Sequence, residues 1–353
     1  GRKMSKSLGN SPDPLVLIDK FGADGVRMGM MLSAPAGNDI LFDESLCEQG
    51  RNFNNKIWNA FRLVKGWETA DIEQPKSAEI AVKWFDAKLK EVNEEMQKQF
   101  KDYRISEALM TVYKLFWDEF SSWYLEMVKP AYGQPIDQKS YDATLRFFDA
   151  LLKMLHPFMP FVTEHIWQHL PHEGDSIVVT KWPEALKFDN LEGAARQMEV
   201  MMDAIKGIRN MRAEMNVPLG KKAEVIVAPT DEALAQTVAD HSDYFVTLAW
   251  AEKVTILGAD DPKPENATVT VVNGMEVYLL LKDLIDGEKE RERIAKEKIQ
   301  MEKEISRLEG KLSNQGFLAK APEAVVAKEK EKLEEYKQKQ QALLEREAFL
   351  ETL

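Results

Sequence analysis

The first residues of the chain form a short segment rich in lysine and serine, GRKMSKSLGNSPDP. Lys3 and Lys6 supply two ammonium groups, and Ser5 and Ser7 supply two hydroxyls beside them. Glycine and two prolines interrupt the segment, so it cannot form a long helix or a central strand. A donor-rich cationic loop of this kind is suited to binding phosphate oxygens. The competing interpretation is a solvated surface turn.

The composition bounds the classes of protein to which the chain can belong. Its 353 residues are enough for two or three domains, and 44% hydrophobic with 30% charged residues is ordinary for a soluble globular protein. Nothing resembles a membrane span or a secretion signal. The single cysteine, Cys47, and five scattered histidines exclude a disulfide framework and zinc-type spacing, so we expect no bound metal and a cytoplasmic location. A net charge of −12 argues against a protein that coats nucleic acids without sequence preference, but it permits a local basic groove.

Residues 1–45 read as a loop, a short helix and a turn. Asp24 is a candidate N-cap for a helix that runs to about Leu32. The segment is too small to bury a core alone. We therefore expect it to be the remnant of a further domain that precedes it.

Residues 46–189 show a helical period and predict a bundle of four or five long amphipathic helices. Pro157 fits the start of the last helix and Pro171 fits its end. The aromatic residues are expected in the core of the bundle; they include Trp84, Trp117, Trp123 and Trp167.

Residues 190–282 change character and predict a small α+β domain. A long helix ends before Pro218, and four short β-rich runs follow, which we expect to form an antiparallel sheet. A helical stretch from about Glu232 to Ala249 separates the first two runs. The sequence Asn273-Gly274 favours a type I′ hairpin between the last two.

Residues 283–353 consist largely of Glu, Lys, Ala, Leu and Gln, with apolar residues at heptad spacing in two stretches. A helix-breaking segment, SNQGFLAKAP, separates the stretches. The pattern predicts an antiparallel coiled-coil hairpin that projects as an arm. Polar residues interrupt the expected seam; they are Arg291, Lys298, Glu329, Gln340 and Glu347. The predicted fold class is therefore mainly α: a helical bundle, a small α+β domain and a C-terminal antiparallel coiled-coil hairpin.

The residues of the opening loop follow a known sequence signature. KMSKS followed by LGN closely resembles the second signature of the class I aminoacyl-tRNA synthetases. The resemblance implies that ATP, with Mg²⁺, is a substrate, and that the loop of Lys3, Met4, Ser5, Lys6 and Ser7 contacts its phosphates. Lys6 would be the principal catalytic cation and Lys3 its support, because charge builds on the departing pyrophosphate. Gly9 and Asn10 would give the loop freedom to swing.

Later segments resemble the branched-aliphatic subgroup of this family, specific for Ile, Val and Leu. RNFNNKIWNAFRL and LLKMLHPFMPFVTEHIWQ are similar to helices of its anticodon-binding bundle, and KLSNQGFLAKAPEAVVAKEKEKL resembles the coiled coil of the valine-specific enzymes. The isoleucine- and leucine-specific enzymes, and a non-enzymatic helical interaction protein, remain the alternatives. The other signature of the family, His-x-Gly-His, is absent, so we expect the nucleotide-binding core and the editing domain to lie outside this chain, which alone would be inactive.

The resemblance implies that the chain is a monomer whose partners are a valine tRNA and the remaining domains of the same enzyme. The polar face of the first bundle helix would meet the anticodon, whereas without the resemblance a solvated helix face would be the better interpretation. A second basic helix face and the arm would contact other parts of the tRNA. The tRNA-binding candidates are Arg51, Asn52, Asn55, Lys56, Asn59 and Arg62 on the first helix, Lys206, Arg209 and Arg212 on the second, and Lys311 and Lys320 in the arm.

Overall fold

The structure is a computed structural model that describes residues 2–184, 191–280, 287–319 and 321–351. It separates into two compact units, one of Gly1–Ile205 with Ala233–Leu248 and one of Lys206–Glu232 with Ala249–Leu353. The helices are α1 (Pro14–Phe21), α2 (Ala23–Leu32), α3 (Glu44–Lys65), α4 (Lys76–Lys101), α5 (Ile105–Lys114), α6 (Leu125–Val128), α7 (Gln138–Leu155), α8 (Pro160–Trp167), α9 (Leu191–Glu214), α10 (Glu232–Asp240), α11 (Asp243–Leu248), α12 (Gly287–Ser313), α13 (Gln315–Leu318) and α14 (Glu323–Leu350). The strands are β1 (Thr69–Ala70), β2 (Ile136–Asp137), β3 (Ala223–Pro229), β4 (Ala251–Ile256), β5 (Ala267–Val272) and β6 (Met275–Leu280).

The first unit has an aromatic core, as the helical period predicts. Phe53, Ile57 and Val64 on α3 are fully buried, and Phe61 is nearly so. A π-helix of ten residues, Leu115–Tyr124, joins α5 to α6 and contributes three fully buried rings to the same core. These apolar stripes on several helices confirm the predicted bundle.

Two of the four tryptophans expected in the core are not buried. Trp84 and Trp167 are 0% and 1% exposed, whereas Trp117 and Trp123 in the π-helix are only partly buried. The expectation depended on residue type alone. The wider turns of a π-helix change which residues share a face, and these two rings lie at the border of the core.

Helix α2 crosses α3 with almost no side chain between the two backbones. A Cβ added at Gly29 would lie 2.5 Å from the sulfur of Cys47 and 2.7 Å from its backbone nitrogen. A Cβ at Gly50 would lie 2.6 Å from the carbonyl oxygen of Gly25. The glycines therefore set how closely these helices approach.

Asp24 does not cap its own helix. It lies in the first turn of α2, and its carboxylate accepts hydrogen bonds from the backbone nitrogens of Phe161 (3.2 Å) and Val162 (2.7 Å). The expectation was therefore wrong: Asp24 caps the start of α8, a helix distant in sequence. Burial raises the pKa of the Asp24 carboxyl, and the two hydrogen bonds oppose that rise.

The prolines expected to delimit the last bundle helix are both displaced from its ends. Pro160, not Pro157, is the first residue of α8, in the position where its missing N–H costs least. The helix ends at Trp167, before Pro171 is reached.

The second unit contains a four-stranded sheet in the order β4-β3-β6-β5. The pairs β3–β6 and β5–β6 are antiparallel as expected, but β3 and β4 run parallel, so the sheet is mixed. Two parallel neighbouring strands need a long connection, and the helical stretch between β3 and β4 supplies it. The β5–β6 hairpin is confirmed, with Asn273 at φ 46° and Gly274 at φ 78°.

Helices α12 and α14 of the same chain pack against each other as the predicted antiparallel hairpin, hereafter the arm. Ile294, Leu308 and Leu350 are buried along its seam. Three of the five interrupting polar residues form ion pairs across it: Lys298 with Glu347 at 2.6 Å, and Glu329 with Lys311 at 3.0 Å. Because these charged side chains pair with each other, the two helices can pack closely although polar residues lie between them. Arg291 instead donates to the Leu350 carbonyl at 3.2 Å.

We predict that Gly29→Ala destabilises the first unit, because the Cys47 backbone cannot move away from the new methyl group. Overpacking of this kind costs about 1–3 kcal/mol. Urea unfolding followed by circular dichroism measures the change.

The control is Gly310→Ala in α12, where a Cβ would meet no atom within 4 Å. Here the helix propensity of alanine should stabilise the protein by about 0.5–1 kcal/mol. Equal effects of the two substitutions would contradict the close crossing of α2 and α3.

Candidate nucleic-acid interface

Helix α3 presents a polar face to solvent, opposite its buried stripe. Asp43 caps its start by accepting a hydrogen bond from the Ser45 backbone nitrogen at 2.9 Å. Hydrogen bonding from the Ser45 hydroxyl, and then from this nitrogen, lowers the pKa of the Asp43 carboxyl. The exposed side chains on this face are Asn52, Asn55, Asn59 and Arg62. Within the part of the chain that the structure describes, no other segment covers them. The face is accessible to a ligand.

The predicted face is narrower than the six residues proposed for it. Three-residue spacing turns about 60° per step on an α-helix, so Lys56, Asn59 and Arg62 do not point the same way. The Lys56 ammonium lies 5.1 Å from the ring centre of Trp117, and Lys56 is half-buried. Arg51 is paired with Glu48 at 3.0 Å. Both cations border the face rather than occupy its centre.

A cavity of about 690 Å³ adjoins the C-terminal end of α3. Arg62, Trp67, Lys129 and Tyr132 are among its lining residues. Tyr132 is entirely exposed, because it sits on a turn closed by a hydrogen bond from the Gln134 nitrogen to the Ala131 carbonyl at 2.9 Å. An exposed phenol ring beside the Arg62 guanidinium is suited to stacking with a nucleotide base, while the Lys129 ammonium is paired with Glu126 at 2.6 Å.

Sequence reasoning missed Trp67 and Tyr132. The residue directly after Arg62 is Leu63, which offers no ring for stacking. The structure instead brings a ring from a distant loop to that end of α3. The available signal was a tyrosine surrounded by turn-forming residues in KPAYGQP, where an apolar contact is hard to make.

The opening loop is folded into a defined turn rather than left free. Lys6–Leu8 form a 3₁₀ turn, and the Ser5 hydroxyl accepts a hydrogen bond from the Leu8 nitrogen at 3.3 Å. Asn10 accepts from the Ser5 nitrogen at 2.9 Å and donates to the Lys3 carbonyl at 3.2 Å. The expectation that Asn10 frees the loop is therefore wrong, since its side chain closes the loop at the base.

The side chains of the loop are presented outward. Lys3, Met4, Lys6 and Ser7 are exposed, and the hydroxyls of Ser5 and Ser7 lie 3.1 Å apart. Within the described residues, neither lysine ammonium forms an ion pair. The turn thus holds two cations in solvent, which is the arrangement that phosphate binding requires.

The second proposed basic face is largely turned away from solvent. Lys206 is exposed, Arg209 is half-buried against the ring of Trp250 at 5.7 Å, and Arg212 is only 3% exposed. Arg212 donates to the carbonyls of Pro218 (3.0 Å) and Lys221 (2.6 Å), and burial lowers its pKa. It closes the turn after α9 and cannot meet a nucleic acid in this structure.

Lys311, one of the two arm candidates, is engaged within the arm, and the other lies outside the described residues. The Lys311 ammonium pairs with Glu329 and lies 4.9 Å from the ring centre of Phe317. Lys320 is the residue outside them. Nearby on α14, Lys328 and Lys332 form no ion pair within the described residues and are exposed. They are better placed than Lys311 to contact phosphate.

Neither a metal-binding cluster nor a membrane-spanning helix occurs among the described residues. No group of three or more His, Cys, Asp and Glu residues among those the structure describes could hold a metal ion. Over the same residues, no helix is both long enough and apolar enough to span a bilayer.

Three family descriptions match the chain. Residues 1–43 match "tRNA synthetases class I (I, L, M and V)", residues 82–227 match "Anticodon-binding domain of tRNA ligase", and residues 286–351 match "Valyl tRNA synthetase tRNA binding arm". Tyr132 lies inside the second match, whereas α3 lies between the first and the second.

Curated proteins named valine–tRNA ligase match nearly the whole chain. The protein of Phocaeicola vulgatus is 50% identical over 94% of this chain and 37% of its own length, and that of Porphyromonas gingivalis is 49% identical over the same shares. The protein of Oceanobacillus iheyensis is 39% identical over 96% of this chain and 39% of its own length. The chain thus spans well under half the length of these relatives.

We predict that Asn10→Ala loosens the opening loop, because two hydrogen bonds across its base are lost. Each contributes about 0.5–1.5 kcal/mol, so amide exchange in a peptide covering residues 3–10 should become about tenfold faster. Asn38→Ala, at another exposed turn, is the control. Unchanged exchange in the Asn10 variant would show that Asn10 does not hold the loop.

Proposed function

Because the chain belongs to the valyl-tRNA synthetase family of the class I tRNA synthetases, we propose that it is the tRNA-binding part of a ligase that joins valine to its tRNA. The observation that carries this proposal is the exposed polar face of α3, which continues into the cavity lined by Arg62 and Tyr132. We infer that this continuous surface receives the anticodon. Charging of tRNA also makes the cytoplasm the expected location.

Asn52, Asn55 and Asn59 give the anticodon surface its capacity to read bases. Each side-chain amide carries donors and an acceptor, so it can pair with the edge of an unstacked base. The three amides are fixed along α3, whose opposite face is buried. A rigid row of such groups favours one set of bases over another because a mismatched edge leaves a donor or acceptor unpaired.

Arg62, Trp67 and Tyr132 would bind the nucleotide in a different way. The planes of Trp67 and Tyr132 can stack on a base of any identity, and the Arg62 guanidinium can contact its phosphate or stack in turn. We expect this cavity to supply affinity, while the asparagine row supplies selectivity.

The opening loop would serve the activation of valine by ATP. The exposed Lys3 and Lys6 ammonium groups are suited to the phosphates, and Lys6 would stabilise charge that develops on the departing pyrophosphate. Ser5 and Ser7 would donate further hydrogen bonds. The turn closed by Asn10 keeps these groups on a compact segment, which lowers the entropy lost on binding.

The arm would bind the tRNA outside the anticodon. Exposed Lys328 and Lys332 lie one helical turn apart on α14, so they can contact successive phosphates of one strand.

We propose one role for each part of the chain. Residues 283–353 would bind the tRNA outside the anticodon, residues 46–189 would bind the anticodon, and residues 190–282 would join these two parts.

We predict that Tyr132→Ala weakens binding of a valine tRNA transcript by about 5–100-fold, because one base loses its stacking platform. Fluorescence anisotropy at fixed salt measures the dissociation constant. Tyr103→Ala is the matched control, since Tyr103 is another highly exposed tyrosine (83%) but is not among the residues that line the cavity. Similar losses in both variants, or none in Tyr132→Ala, would argue against the anticodon surface.

We further predict that Lys56→Ala combined with Arg62→Ala reduces the salt dependence of tRNA binding, whereas Tyr132→Ala leaves it unchanged. Each lost phosphate contact should lower the slope of log affinity against log salt by about 0.7–0.9. Titrations at three salt concentrations, with an unrelated tRNA as competitor, give the slopes. An unaltered slope in the double variant would place the phosphate contacts elsewhere.

A further inference from the structure

A cluster of charged residues, two of them largely buried, lies at the base of the arm. It consists of Glu290 and Arg293 on α12 and Arg346 on α14, and we call it the arm-base cluster. The side chains of Glu290 and Arg346 are only 10% and 13% exposed. Their carboxylate and guanidinium lie 2.6 Å apart, and Arg293 donates to the same carboxylate at 2.8 and 3.1 Å.

The arm-base cluster also holds the segment that follows α9. The Arg346 guanidinium donates to the backbone carbonyl of Glu214, the last residue of that helix. With the Asn216 amide in the orientation that satisfies its neighbours, its oxygen accepts from Arg293 at 2.6 Å and from Arg346 at 3.1 Å. Asn216 has φ 48°, so the chain turns sharply there. Both helices of the arm are thus joined to one fixed turn.

Apolar packing beside the arm-base cluster is incomplete. An open groove of about 710 Å³ separates Met215 from residues of both arm helices, among them Met301 and Leu343. Apolar side chains therefore leave this side of the junction between α9 and the arm open. Buried ion pairs stabilise weakly but require one geometry, so the cluster is the stronger constraint on the angle between α9 and the arm.

A small change in this angle moves the far end of the arm a long way. Helix α12 has 27 residues and is about 40 Å long. A rotation of about 10° at its base would displace the tip by about 7 Å, which exceeds the reach of any hydrogen bond. Lysines near the tip could then meet phosphates only after the arm had been reoriented.

We propose that the arm-base cluster sets the direction of the arm, so that the arm meets tRNA already oriented. Glu290 and Arg346 are positioning residues: they touch no tRNA but determine where the arm lysines lie. The inference rests on the proposed function, in which the arm binds tRNA. Ordering the arm before binding reduces the entropy lost on association.

The first test measures the direction of the arm without tRNA. Spin labels at Asp260→Cys, in the loop before β5, and Asn314→Cys, at the arm tip, are introduced in a Cys47→Ala background. The wild-type cluster should give one narrow distance distribution, and Glu290→Gln or Arg346→Met should broaden it. A broad distance distribution in the wild-type protein, or an unchanged distribution in the variants, would overturn the proposal. Neither outcome depends on whether the proposed function is correct.

The second test measures two RNA ligands with the same variants. Affinity for the whole valine tRNA should fall about tenfold, while affinity for its isolated anticodon stem-loop should change less than twofold. Arg307→Met, which removes an exposed ion pair with Glu304 on α12, is the control and should change neither. Equal losses for both ligands, or no loss for the whole tRNA, would overturn the positioning role. Failure of the unaltered protein to bind either RNA would instead refute the proposed function.

Discussion

Helix α3 has a fixed orientation because it lies directly against α2, with glycines at the points of contact. A helix that crosses another through side chains can rotate as those side chains repack. Here the backbones meet at Gly25 and Gly50, and at Gly29 and Cys47, so little rotation is available. The buried stripe of α3 then determines which residues remain outside. The polar face that we assign to the anticodon follows from this one close approach.

The same contact relates the anticodon surface to the opening loop. Helices α1 and α2 follow that loop in the chain and belong to the same compact unit as α3. Asp24 ties α2 to the first turn of α8, and Arg27 donates to the carbonyls of Pro157 and Phe158, both at 3.1 Å. The short segment after the loop is therefore held by the bundle rather than by a core of its own.

Periodic features of the fold could be predicted from the sequence, because they depend on local spacing. The stripe of α3, the Asn273-Gly274 hairpin and the two arm helices all agree with the structure. Two of the errors arise where a distant segment supplies the partner. The sequence indicates that Asp24 caps its own helix, but Asp24 caps α8 instead. The sequence also indicates an antiparallel sheet, because no local pattern shows that β3 and β4 pair in parallel.

The candidate site was predicted less completely, for the same reason. Arg212 carries the charge expected of an RNA contact, but its carbonyl partners lie in a turn that only the folded chain forms. Tyr132 carries no periodic signal, yet its loop is brought to the end of α3. The type of a residue is given by the sequence, whereas its exposure depends on the packing of the whole unit.

We infer that the exposed face of α3 and the adjoining cavity contact the anticodon. Photocrosslinking tests it most directly, with a photoreactive nucleoside placed in the anticodon of a valine tRNA transcript and the attached peptides identified by mass spectrometry. If the anticodon lies on this surface, crosslinks will fall within residues 52–67 and 129–134. Crosslinks confined to the second unit, with none to α3 or the loop of Tyr132, would contradict it.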